Sequence, residues 1–184
     1  MPLLPDQLGA GALELRRSRP CYLDDIMSAV TLSYPELHRW INWCKSMPLR
    51  QDILKFLEED ERAFEVDEKW AYALFERDSG ELVGSAGLRK VSAPATDGLE
   101  IGYWVRSDRT KLGYASAAAQ ALVDAGFAKM PGIKRMRISM DSANEASAAV
   151  PRKLGFRFLG NEKGELATEG HTGAGAVWEL ERPW

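Results

Sequence analysis

LEIGYWV (residues 99–105), RSDRTKL (106–112) and GYASAAAQALVDAGFAKM (113–130) follow one another without a break, and their order decides the fold. The first reads as a strand, the second as a polar turn, the third as a long Ala-rich helix opened by Gly113-Tyr114-Ala115. A glycine at a helix start lets the backbone approach a ligand closely. The free N–H groups of the first turn then point at that ligand, and the helix dipole favours an anion there. Arg106, Arg109 and Lys111 gather beside it in a chain whose net charge is −3. A phosphate or pyrophosphate is the natural guest. Taken alone, Gly-Tyr-Ala equally describes an ordinary strand–helix turn with solvated basic residues around it.

Downstream, Ile133–Met140 reads as a strand that runs into Asp141-Ser142-Ala143-Asn144, and Asn144–Leu154 as a short helix. Gly155 suits a helix end that needs positive φ, with Phe156 returning to the core. Phe156–Leu159 and Ala176–Leu180 are predicted as the last strands. Between them lies a Gly-, Thr- and Glu-rich segment, 160–175, expected to be a mobile loop. Upstream, Ala12–Arg17 is a predicted strand. Leu23–Trp43 is helical in pattern but predicted to break at Pro35, and Leu49–Phe64 is a further helix. Lys69–Glu76 and Leu82–Leu88 flank the turn Asp78-Ser79-Gly80 as a hairpin. Residues 1–10 read as a lead-in. Antiparallel hairpins come first and a βαβ crossing later, so the fold class is α/β with a mixed (α+β) sheet, in a single domain spanning 1–184.

Bulk properties exclude several functions. An acidic balance gives no reason to expect nucleic-acid binding. No apolar run approaches a membrane span, and the N-terminus lacks the order of a signal peptide. Cys21 and Cys44 lack CxxC spacing, so zinc or redox chemistry is not expected, no metal site is predicted, and a reduced, cytoplasmic setting fits. His38 and His171 have no ligand spacing and read as surface or packing residues. Nothing around Cys44 supports a Cys–His nucleophile. No Gly-Lys-Ser/Thr follows Gly113, which disfavours a P-loop nucleotide binder.

Four short motifs in order carry a family resemblance: Glu100-Ile101-Gly102-Tyr103-Trp104-Val105, Gly113-Tyr114-Ala115, Asn144-x-x-Ser147 and Lys153-Leu154-Gly155-Phe156. Together they resemble the Gcn5-related N-acetyltransferase superfamily (GNAT), within it the ribosomal-protein N-terminal acetyltransferase branch. The element order over 12–182 fits as well. The resemblance implies a mostly antiparallel, twisted sheet of about seven strands whose fourth strand carries a bulge and splays from the fifth. It implies acetyl-CoA as co-substrate, its pantetheine arm lying in the V-shaped opening along Tyr103, Trp104 and Val105. The family's pyrophosphate loop, Gln/Arg-x-x-Gly-x-Gly/Ala, falls on Thr110, Lys111, Leu112, Gly113, Tyr114 and Ala115, with Arg109 beside it. Thr110 departs from the usual Gln or Arg, and Lys111 takes the place of a common extra glycine. Backbone donors still suffice for a pyrophosphate.

The implied reaction is acetyl transfer to a primary amine in a ternary complex. The acceptor is a protein N-terminus, as in the branch, or a small molecule such as an antibiotic or polyamine, and the protein a monomer or homodimer. A non-catalytic acyl-CoA-binding module on the same fold is the alternative. Glu100 is the candidate general base, charged within an apolar strand and on the face it shares with Gly102 and Trp104. The same position also suits a solvated face or an ion pair with a nearby arginine. Glu162 and Glu165 in the loop are held in reserve. Many superfamily members use a tyrosine to protonate the leaving sulfur, at the position of Pro151 here, so Ser147 is the candidate donor. Asn144 either caps its helix or holds the pantetheine amide. Pro151 has no N–H, which leaves the Ser147 carbonyl without its i+4 donor and predicts a loosened helix there.

Overall fold

In the computed structural model, which describes residues 2–91 and 97–183, β3 (Lys69–Glu76) lies near the middle of a sheet with both of its faces covered. Trp70, Tyr72 and Leu74 enter one core, Ala73 and Phe75 a second on the opposite face. Six successive buried positions, rather than a clean alternation, mark it as an interior strand. The sheet has eight strands in the order β1-β2-β3-β4-β5-β6-β8-β7: β1 (Gln7–Ala10), β2 (Leu13–Arg17), β3, β4 (Leu82–Lys90), β5 (Gly98–Val105), β6 (Arg135–Asp141), β7 (Arg157–Lys163) and β8 (Ala174–Glu181). All neighbours are antiparallel except β5 and β6. The mixed class is as expected, and the extra strand is β1, within the segment read as a lead-in. It pairs with β2 across a turn at Gly11, whose φ is +61°.

α1 (Leu23–Trp40) and α2 (Arg50–Glu65) cover one face, and α3 (Tyr114–Lys129) and α4 (Glu145–Lys153) the other. α1 does not break at Pro35. A proline removes one backbone bond, and the apolar stripe Leu23, Ile26, Ala29, Val30 and Leu37 stays buried on both sides of it. α3 packs Ala118, Ala119, Leu122 and Val123 into the larger core. Gly126 permits its closest approach, since a Cβ there would lie 2.5 Å from the Met136 side chain.

The parallel β5–β6 ladder holds only three pairs, Gly98–Arg135, Leu99–Met136 and Glu100–Arg137, and then the strands part. This is the expected splay, one place later in the count because of β1. The expected bulge is not in β5, which pairs with β4 in unbroken register from Leu99 to Val105. Register shifts lie instead between β3 and β4, at Leu74 and Phe75, and between β7 and β8, at Phe158 and Gly160. Among the described residues no helix is long and apolar enough to cross a membrane.

Candidate active site

The open seam between β5 and β6 begins at Glu100 and leads past Tyr103–Val105 to the turn 106–113. Two backbone positions shape that turn. Lys111 has φ +64° and Gly113 φ +81°, both left-handed. Lys111 is the residue standing where a glycine is common, and its strained backbone explains why. The first α3 bond runs from the Ala117 amide to the Gly113 carbonyl; the amides of Gly113, Tyr114, Ala115 and Ser116 find no acceptor among the described residues. They form a cradle for an anion. Lys153, at the end of α4, reaches it, with its Nζ 3.8 Å from where a Gly113 Cβ would stand. Nothing in the local sequence marks Lys153 as a cofactor contact, because it arrives from forty residues further along the chain. The donor set fits a pyrophosphate.

Arg109 and Arg106 brace the turn. Arg106 donates to Glu81 (2.7 Å), Asp108 (2.7 Å) and the Leu82 carbonyl (3.1 Å). Arg109 donates to Asp108 and Glu81, at 2.9 and 3.2 Å. The Tyr114 hydroxyl donates to Glu76, and with Ser79 this holds the Glu76 carboxyl below its ordinary range. Thr110 uses its hydroxyl on the Ser107 carbonyl (3.1 Å), while Lys111 and Leu112 are exposed. Of the basic cluster, then, two members stiffen the loop, and Lys111 makes no ion pair among the described residues.

Across the seam, Asn144 caps α4, its side-chain oxygen accepting from the Ser147 amide at 3.1 Å. The helix is not loosened at Pro151. The Ser147 carbonyl receives the Tyr103 hydroxyl at 2.9 Å, so a phenol from β5 replaces the missing amide. The same hydroxyl lies 3.2 Å from Ser147 Oγ, and burial pushes its pKa up to about 12 despite that contact. Tyr103 and Ser147 are therefore brought together, one from each bank of the seam.

Glu100 sits at the apex. Its Oε2 accepts from Arg89 at 2.8 Å, and Oε1 has no partner within the described residues. The carboxylate belongs to a charged row in register across the sheet: Lys69, Arg89, Glu100, Arg137 and Glu179. This is the ion pair that the sequence left open as an alternative. On the same face as Glu100, Gly102 and Trp104 line a cavity of about 350 Å³ beneath the C-terminal end of α1 and the middle of α2. Trp104 thus offers the seam its backbone, while its ring faces the cavity and lies 6.5 Å from Trp43.

A second cavity, of about 530 Å³, lies beyond β6 and contains Glu162 and Glu165. Trp40 and Arg89 line both cavities. The loop over it is shorter than expected, 164–173, because β7 extends to Lys163 and β8 begins at Ala174. It is also fastened to the end of α1, contrary to a freely mobile segment. Thr168 Oγ1 and the Gly170 amide donate to the Arg39 carbonyl (2.6 and 3.1 Å), and His171 Nε2 lies 3.1 Å from the Trp40 carbonyl. His38 lies 3.1 Å from Glu169, and Asn42 donates to Glu165 at 3.3 Å. Both histidines are thus fasteners. Cys44 is fully buried, and burial pushes its thiol up, away from the reactive thiolate. Among the described residues no three His, Cys, Asp or Glu side chains gather to hold a metal ion.

A splayed β5–β6 seam opening at an amide cradle defines an acyl-CoA-dependent acyltransferase fold, and the comparisons with known proteins agree. The family model described as "Acetyltransferase (GNAT) domain" matches residues 12–157, and the chain belongs to that family. A curated relative, the uncharacterized protein YkkB of Bacillus subtilis (strain 168), is 25% identical over 123 residues, 67% of this chain and 62% of the relative's length. Among solved structures, RimL, a ribosomal L7/L12 α-N-protein acetyltransferase in complex with coenzyme A, superposes with a TM-score of 0.84 at 20% identity, covering 95% of this chain and 97% of the other. The microcin C7 self-immunity acetyltransferase MccE, in complex with acetyl-CoA and AMP, superposes with a TM-score of 0.86 at 15% identity, covering 98% of each. These two likenesses establish the fold.

Proposed function

We propose that the whole chain acts as one acetyltransferase domain, moving an acetyl group from acetyl-CoA to a primary amine by direct attack in a complex holding both substrates. One observation carries this above the others. The seam connects an amide cradle suited to a pyrophosphate with a carboxylate at its apex. Acetyl-CoA supplies the activated acyl carbon. The cradle amides, with Lys153, hold the phosphates. The β5 edge at Tyr103–Val105, free of β6, offers backbone partners to the pantetheine amides, and Asn144 lies on the opposite bank.

The attacking amine must first lose a proton. An α-amine has a pKa of roughly 7.7–8.0 against about 10.4 for lysine, so an N-terminal or similarly weak amine needs little help. Glu100, through a water held at its free Oε1, accepts that proton. The nitrogen bonds the acetyl carbon, the carbon–sulfur bond breaks with its electron pair leaving on sulfur, and the second N–H proton passes to solvent, leaving a neutral amide. A thiol with a pKa of roughly 8.5 departs readily as thiolate, so Ser147 has only to hydrogen-bond it. The likeness to RimL supports a protein N-terminus as acceptor. The cavity beside Glu100, of small-molecule size, favours a second reading, a small amine.

The test is the pH profile of kcat/KM for Glu100→Gln against wild type, with acetyl-CoA affinity measured separately. A base predicts a loss of roughly a hundredfold near neutral pH that recovers in part at high pH, where free amine is abundant. Wild-type rates across the range for Glu100→Gln, with a loss for Glu165→Gln, move the role to the loop.

A further inference from the structure

The cavity beside Glu100 is built unlike the rest of the surface. Its walls are aromatic: Trp43 stacks near Phe56 with centroids 6.2 Å apart and meets Trp104 edge-on at 6.5 Å. Trp43 and Phe56 are each 40% exposed, so these large rings leave apolar area facing the cavity instead of closing on one another. Its floor at Gly102 has no side chain, and a Cβ added there would enter open space. A cavity of about 350 Å³ falls within the usual range for a small-molecule site, roughly 300–1,000 Å³.

Charge decides what fits between those rings. Asp60, 5% exposed at its side chain, is the most buried carboxylate at the cavity, and it already accepts from Lys69 at 2.5 Å. The Lys69 ammonium also lies 4.4 Å over the Phe56 ring. Arg89 neutralises Glu100. Both carboxylates are thus paired within the protein, and the cavity offers no surplus negative charge to a second cation. A polyamine would bring charges that nothing there balances. One ammonium is accommodated, facing the open Oε1 of Glu100 across the relaying water.

We propose that the acceptor is an arylalkylamine: a single primary amine on a short tether, carried by a flat aromatic body that packs against Trp43, Phe56 and Trp104. This deepens the acetyltransferase reading and rests on it. The aromatic body sits where offset or edge contacts with the rings are available, and the tether points the nitrogen at the apex of the seam. Aromatic pairs of this kind contribute beyond the area they bury.

The experiment measures thiol release from acetyl-CoA by the full chain with four probes: 2-phenylethylamine, n-hexylamine, spermidine and a short peptide with a free N-terminal serine. In parallel, tryptophan fluorescence follows 2-phenylethylamine binding. The expected result is a kcat/KM for 2-phenylethylamine at least about tenfold above each other probe. Trp43→Ala and Gly102→Val should each remove most of that advantage while leaving acetyl-CoA affinity unchanged. A Cβ at Gly102 meets no neighbour within 4 Å, so Gly102→Val puts its branch into the cavity, and the unchanged acetyl-CoA affinity shows that the variant is folded. The proposal is overturned by equal or better turnover of hexylamine, spermidine or the peptide, or by variants that leave the preference intact. Fluorescence-detected binding without turnover of any amine would keep the aryl site and remove the acetyltransferase reading instead.

Discussion

The two ends of the seam are made in different ways. At the proposed cofactor end the working groups are the backbone amides of four consecutive residues, Gly113–Ser116, set in direction by the positive φ values at Lys111 and Gly113. At the acceptor end they are side chains from α1, the Asn42–Cys44 turn, α2 and three strands, with a loop tied in from more than a hundred residues away. A site of the first kind tolerates side-chain change and fails when its backbone is altered. A site of the second kind is remade by single side chains, which is how one fold comes to serve many acceptors.

The sharpest way to break this contrast is Gly113→Asp. It imposes left-handed strain on a non-glycine residue and sets a carboxylate in the phosphate cradle. Calorimetry should show acetyl-CoA binding weakened well over tenfold in a folded protein, and unchanged affinity would remove the cradle from the site. Gly170→Ala asks the same of the other end. A Cβ there would lie 2.3 Å from the Arg39 carbonyl oxygen, so the loop has to leave α1. The expected result is a kcat/KM lowered by about fivefold with acetyl-CoA affinity untouched, since disrupting one backbone bond and one contact costs on the order of 1 kcal/mol. Equal effects on both substrates would mean that the two ends are not separable.

Tyr103→Phe leaves the Ser147 carbonyl without a donor and should cost about 1 kcal/mol, a fall in Tm of roughly 2–4 °C. A Tm equal to wild type would show that water replaces the phenol. Ser147→Ala is expected to slow turnover only a few-fold, because the thiolate leaves unaided. A millionfold loss would make the hydroxyl essential.

The smallest effect is one of pH. Burial opposes ionisation of Asp141, but bonds from the Ala143 amide and from Thr172 hold its pKa below the ordinary value. A depressed pKa contributes stability above the unfolded value, about 3.9, that is lost as pH falls through it towards the folded one. The Tm gap between wild type and Asp141→Asn should therefore be open at pH 7 and close below about pH 4. A gap independent of pH would mean that Thr172 is held by something other than the carboxylate.

The contrast also explains what could be read in advance. The strand, turn and helix of residues 99–130 and the glycine between them were legible, because period and φ preference are local properties. So was the orphaned carbonyl that Pro151 creates; its partner was not, since Tyr103 and Ser147 are 44 residues apart. β1 escaped because four residues with one buried side chain carry little pattern. The Gly-, Thr- and Glu-rich composition of 160–175 predicts a mobile loop, whereas the loop proper is 164–173. The bonds that fasten it span from 123 to 131 positions and leave no mark on composition. Trp40 and Trp43 lie within the stretch 23–43 that reads as helix, and only the fold reveals that they face a cavity.

Two parallel strands that part company have every incentive to zip together, for each further pair would satisfy exposed amides and carbonyls. In this molecule the phenol of Tyr103 stands against that outcome. Rooted in one bank and bonded to the helix above the other, it works as a strut, fixing the gap at a width set by a single side chain. The groove consequently need not be pried open before a ligand enters, and affinity is not reduced by the population of a closed, self-paired form.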